Sequence, residues 1–224
     1  MKPQQTVVLS QSQSALATNK VLRSTYFLLS LTLLFSGVTA GIAMTMQVTI
    51  MNPFLYMIGF FGLYFLTISL RNSAWGIASV FAFTGFIGYA LGPILNFYIK
   101  NFSNGPALVT TSLVGTGVIF LALSAYVLTT KKDFSFLGGF LFVAILVGIV
   151  ASLGAMIFNI PTLEVIVSGA FILIASGLIL FDTSRIINGG ETNYIMATIQ
   201  LYVDIYILFV NLLQLLSIFG GQRN

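Results

Sequence analysis

From Tyr26 to the C-terminus the chain is a succession of apolar runs, separated only by short polar breaks. Crossing about 30 Å of hydrocarbon takes roughly 20 helical residues at about 1.5 Å each. Seven runs have that length, at about Tyr26 to Met46, Pro53 to Leu70, Ala74 to Tyr98, Ala107 to Thr129, Phe134 to Phe158, Leu163 to Phe181 and Tyr194 to Phe219. They predict an all-α integral membrane protein, a bundle of seven transmembrane helices. Only 6% of the residues are charged, against about 25% in an ordinary soluble domain. No polar stretch is long enough to fold as a separate globule, so residues 20–224 form one domain. Residues 1–19 are Gln- and Ser-rich without apolar periodicity, and are expected to be a flexible cytoplasmic tail.

The breaks carry their own signals. Asn52-Pro53 sets a capping side chain before a first-turn proline, and Asn104-Gly105-Pro106 is a turn. Asp133 and Glu164 place negative charge at expected helix starts, and Asn188-Gly189-Gly190 ends the sixth helix.

With no cysteine and no histidine, the chain has no disulfide, no thiolate nucleophile and no zinc site of the usual type. Any response to pH in the physiological range must then come from carboxylates whose titration is shifted. The net charge of +4 is too dispersed for a nucleic-acid footprint, but it sets topology. Lys2, Lys20, Arg23, Arg71, Lys131, Lys132 and Arg185 fall on the side of the N-terminus, and only Lys100 and Arg223 on the other. By the positive-inside rule the N-terminus is cytoplasmic and the C-terminus outside. Trp75 reads as an interfacial anchor, and Gly88 and Gly92, followed by Pro93, as a close helix contact.

The seventh segment carries the residues that an apolar helix has least reason to hold. At 100° per residue Asn193, Gln200, Asp204 and Asn211 fall within about 40° of one another, and Gln214 widens the arc. Facing lipid, such a stripe would be costly, so the seventh helix belongs inside the bundle. On the sixth, Ser168 and Ala175 share a face with Asp182 and offer a small-residue surface to the stripe. This brings Asp182 and Asp204 together. Two carboxylates held close in low dielectric cannot both ionise cheaply, so they titrate as a pair and can sense protons. Deprotonated, they also offer oxygens to a hard cation such as calcium, although fewer than the six to eight it takes. Arg71 and Arg185 are the available counter-charges, as latches on an aspartate or as plain neutralisers. Gln200, Asn211 and Gln214 read as interhelical hydrogen-bonding groups. Asp182 taken alone reads first as a solvated helix-end residue paired with Arg185, whereas the depth and stripe of Asp204 point to a functional or network role.

Beyond these physical readings, Ile179-Leu180-Phe181-Asp182-Thr183, Gly189-Gly190-Glu191-Thr192-Asn193-Tyr194, Leu201-Tyr202-Val203-Asp204-Ile205 and Leu208-Phe209-Val210-Asn211-Leu212-Leu213 resemble the C-terminal signature of the Bax-inhibitor (transmembrane Bax inhibitor motif) family. Residues 20–36, 81–96 and 124–139 resemble its bacterial YccA-like branch. The resemblance implies seven transmembrane helices with the seventh central, in the bacterial inner membrane. It further implies one of two activities. One is binding and restraint of the membrane AAA protease FtsH; the other is a pH-sensitive calcium or cation leak, gated by an aspartate pair and a helix-two arginine. On this chain those are Asp182, Asp204 and Arg71. Calcium would then be a permeant or bound ion, and no cofactor is implied. Paired aspartates also serve intramembrane proteases, but Leu201-Tyr202-Val203 replaces the Gly-x-Gly those enzymes place before the second aspartate, which argues against catalysis.

Overall fold

A computed structural model describes the backbone of residues 3–221 and the side chains of residues 18–221. Among the described residues it is all helix, without strands: α1 (Pro3–Thr45), α2 (Pro53–Leu70), α3 (Gly76–Asn101), α4 (Gly105–Thr130), α5 (Leu137–Phe158), α6 (Pro161–Ile187) and α7 (Tyr194–Gly220). All seven are long and apolar enough to span a bilayer, α1 through its part Thr18–Thr45. The tail expected at residues 1–19 falls on residues 1 and 2, outside the described residues, and mainly on the first turns of α1, where nearly all the side chains lie outside them as well.

The local signals act where the sequence places them, with one exception. The Asn52 side chain accepts from the Phe54 amide at 2.9 Å and Pro53 opens α2, while Gly189, at φ 76°, follows the end of α6. Glu164 lies in the first turn of α6. Asp133 does not start a helix. It precedes α5 by a short loop, where its carboxylate accepts from the Ser135 amide at 2.8 Å, because the left-handed Lys131 (φ 52°) turns the chain before α5 begins.

α7 packs against α1, α2, α3, α4 and α6, whereas α5 packs against α6 alone. The seventh helix is therefore central, with one neighbour fewer than a complete ring. Its buried residues Ala197, Leu201 and Leu208 join Val80, Phe83 and Ile87 of α3 in one core. Between α1 and α3 the backbones approach closely. A Cβ added at Gly88 would strike the Ser36 carbonyl, and one at Gly92 would meet Ala43 at 2.6 Å. α3 continues through Pro93 without ending. Large apolar side chains cover the outside of the bundle, among them Phe54, Phe140, Val150 and Leu173, and Trp75 is exposed just before α3. In lipid such a surface is the ordinary boundary, and close packing of small residues holds the helices together.

Candidate functional site

The α6–α7 hairpin builds the site. Ser168, Ala175 and Asp182 recur at a spacing of seven on the α6 face that meets α7, and all three are buried. Asp204 faces back from α7, roughly 15 Å along that helix from its start. The two carboxyl groups come within hydrogen-bonding reach of each other. Tyr64 of α2 lies close enough for both charges to act on its phenol.

Their surroundings differ. Arg185, one turn beyond Asp182, places Nη1 3.7 Å from Asp182 Oδ1 and Nη2 3.7 Å from Glu191 Oε2. Its guanidinium also lies over the Phe181 ring, 5.5 Å from the centroid. Asp204 is 3% exposed, enters no ion pair among the described residues, and its Oδ2 is buried without a hydrogen-bond partner among them. Thr183 Oγ1, beside Asp182, is likewise unsatisfied. A buried polar atom left without a partner costs about 1–3 kcal/mol, and for Asp204 a proton shared with Asp182 offsets that cost.

The remaining sequence-derived residues divide into groups. Arg71 caps α2 from an exposed position and makes no ion pair among the described residues; its carbonyl accepts from Asn193 Nδ2 at 3.0 Å. Asn193 is fully used as a structural tie, because its Oδ1 accepts from the Ile195 and Met196 amides while its Nδ2 also reaches Asn72. Gln200 is half-buried. Asn211 and Gln214 sit toward the other end of α7, lining a polar cavity of about 210 Å³ with Ser152, Glu164 and Ser168. The stripe is thus a cap at one end, a carboxyl pair within and a polar pocket beyond.

Tyr202 escaped the sequence reading. Its hydroxyl is buried, lies 2.6 Å from Ser36 Oγ and donates to the Thr84 carbonyl at 3.2 Å, tying α7 to α1 and α3. The available signal was a phenol set in the apolar run two residues before Asp204. No three His, Cys, Asp or Glu side chains converge among the described residues. Calcium at the pair would therefore have to complete its six to eight oxygens from hydroxyls, backbone or water.

Fold and site together define a multi-pass membrane protein with a carboxyl pair buried between its sixth and seventh helices. The family model described as inhibitor of apoptosis-promoting Bax1 matches residues 18–222, and the chain belongs to the Bax inhibitor family. It is 51% identical over 216 residues to an uncharacterized protein of Pseudomonas aeruginosa, covering 95% of this chain and 97% of that one. It is 50% identical over 204 residues to the Modulator of FtsH protease YccA of Escherichia coli K12, covering 91% and 92%. An uncharacterized membrane protein of Vibrio cholerae is 44% identical over 214 residues.

Proposed function

We propose that this protein is an inner-membrane modulator that restrains the membrane protease FtsH. The observation that carries the reading is the 50% identity over 91% of the chain to a protein named as a modulator of that protease. The orientation is N-terminus in the cytoplasm, on the strength of the seven basic residues against two. The role is binding and not catalysis, since the residues before Asp204 do not form a proteolytic motif. Affinity purification from native membranes should retrieve FtsH, and deletion should speed the decay of FtsH membrane substrates. Failure of both results would overturn the reading.

A second reading is favoured by one geometric observation, the meeting of Asp182 and Asp204 with Arg185 at its edge. It is a pH-sensitive cation leak, in which the pair gates by gaining and losing a proton, with Arg185, Glu191 and Tyr64 as the charged or titratable groups around it. Arg71, exposed at the end of α2, would have to swing inward to act as a latch. Purified protein in liposomes should pass calcium in a pH-dependent way, and Asp204→Asn should flatten that dependence; an unaltered profile in the variant sinks the sensor. Protease modulation and leak are compatible.

A further inference from the structure

No aspartate or glutamate precedes Asp133 in the chain, so α1 carries its cations without a carboxylate of its own to meet them. Two of them, Lys20 and Arg23, are exposed and one turn apart where α1 enters its membrane-spanning part, which begins at Thr18. Neither enters an ion pair among the described residues. The helices packed against α1 are α3, α6 and α7, and the carboxylates near that end of the bundle are engaged elsewhere. Asp182 and Asp204 are buried against each other, and Glu191 faces Arg185.

Lys20 and Arg23 line a groove of about 620 Å³ with Asn19, Ser24 and Phe27. That is room for on the order of twenty waters at about 30 Å³ each, far more than a single bare ion fills. Asn19 and Ser24 can add hydrogen-bond donors to the two cations. Further along α1 the same face turns apolar. At 100° per residue Lys20, Arg23, Phe27, Leu31 and Leu34 fall within about 80°, and Phe27, Leu31 and Leu34 are exposed. From Arg23 to Leu34 is about 16 Å of helix, half of the roughly 30 Å of hydrocarbon. Two cations above an apolar track one leaflet deep are complementary, in charge and in length, to a phospholipid whose headgroup is negative. Lys131 and Lys132 offer no such arrangement, because they follow the end of α4 and Lys132 Nζ is taken up by the Tyr126 hydroxyl at 3.2 Å.

We infer that this face of α1 binds an anionic phospholipid of the adjoining leaflet, with its phosphodiester held by Lys20 and Arg23 and an acyl chain laid along Phe27, Leu31 and Leu34. The Arg23 guanidinium offers a fork of N–H donors to two phosphate oxygens, and Lys20 adds a point charge. Each cation near the membrane surface contributes a factor of about five, so an anionic lipid is preferred over a zwitterionic one of the same chains by about thirtyfold. The bound lipid sets the depth at which α1, 43 residues long with 28 in its span, leaves the bilayer. The binding depends on neither protease modulation nor leak.

Native mass spectrometry of the full-length protein, titrated with phosphatidylglycerol or phosphatidylcholine of identical chains, measures the preference. Phosphatidylglycerol should bind about thirtyfold more tightly, and the ratio should fall as ammonium acetate is raised. The double change Lys20→Gln and Arg23→Gln should bring the ratio close to one, whereas Lys131→Gln with Lys132→Gln removes the same net charge and should keep it. Phe27→Ala should weaken both lipids by a similar factor, and inorganic phosphate should displace neither. Equal melting temperatures exclude misfolding of the variants, and the salt dependence tests the wild type without any variant. A wild type that does not discriminate, or whose discrimination ignores salt, overturns the site. So does a preference that survives loss of Lys20 and Arg23, or one that falls equally with Lys131 and Lys132, which marks net charge alone. Displacement by inorganic phosphate makes the groove a plain anion site and overturns the lipid, and unchanged binding in Phe27→Ala overturns the acyl track.

Discussion

Arg185 Nη1 stands 3.7 Å from Asp182 Oδ1, on the same helix and one turn away, while Asp204 on the neighbouring helix has no cation of its own among the described residues. One counter-charge therefore serves a pair of carboxyl groups and Glu191 as well. Removing it and removing the deeper carboxylate should have opposite effects on stability. Arg185→Gln strands Asp182 and Glu191 and should cost about 1 kcal/mol, a modest figure because the guanidinium is partly exposed. Asp204→Asn puts an amide that can donate to Asp182 in place of a carboxyl group that cannot ionise cheaply beside it, and should cost nothing, or gain up to about 1 kcal/mol. Thermal melts of the detergent-solubilised protein at neutral pH would register the opposite signs. A marked loss for Asp204→Asn would mean that its carboxylate is well satisfied in the native state.

The glycines of α1 and α3 look alike in the sequence and should behave differently. A Cβ at Gly88 would run into the Ser36 carbonyl, which is backbone and cannot step aside, whereas Gly37 and Gly41 face open space. Gly88→Ala should destabilise by about 1–3 kcal/mol through forced separation of α1 and α3. Gly37→Ala and Gly41→Ala should be neutral, or slightly stabilising by helix propensity. Melting curves of the three variants under one detergent condition make the comparison.

These contrasts mark what the sequence could and could not disclose. Span lengths and caps depend on nearest neighbours along the chain, which is why α2 begins and ends at the expected Pro53 and Leu70. The convergence of Asp182 on Asp204 was legible because helical periodicity and the cost of a polar stripe in lipid point the same way. The detachment of α5 from α7 was not, since an apolar span of this kind packs on one neighbour or on several with the same residues. Glu164 reads by itself as a helix-start charge; only the gap between α5 and α7 gathers it with Ser152, Asn211 and Gln214. Asn193 fits the stripe by angle, yet its atoms are consumed by the cap of α7 and by Arg71 and Asn72 across the loop.

The loop before α5 supplies a pH test outside the membrane. Hydrogen bonds from Ser135, side chain and amide, and then from Ser184, hold the Asp133 carboxylate below its ordinary range. Its contribution is present above the unfolded value of about 3.9 and is lost as pH falls through the lower folded value. Ser184, which also accepts from the Phe134 amide at 2.8 Å, ties this loop to α6. Protection of the Ser135 amide from hydrogen exchange should fall on acidification below about pH 4 in the native protein. In Asp133→Asn, which still offers an acceptor but does not titrate, the corrected protection should stay level over the same range.

The Tyr202 hydroxyl allows the tie between α7 and the α1–α3 pair to be measured directly. Its single proton goes to the Thr84 carbonyl, so Ser36 must donate to the phenolic oxygen across the 2.6 Å contact. Tyr202→Phe keeps the ring that fills the core but leaves the buried Ser36 hydroxyl without that partner, and should cost about 1–3 kcal/mol. Ser36→Ala takes away one hydrogen bond and leaves Tyr202 bonded to Thr84, so it should cost less, about 1 kcal/mol. In the Tyr202→Phe background the same Ser36→Ala change removes a group with nothing left to bond across the interface, and should cost little or restore stability. A double-mutant cycle on melting or chemical denaturation should then give a coupling of about 0.5–3 kcal/mol. Additive costs would show that the two hydroxyls do not hold each other, and that the central position of α7 rests on its apolar packing alone.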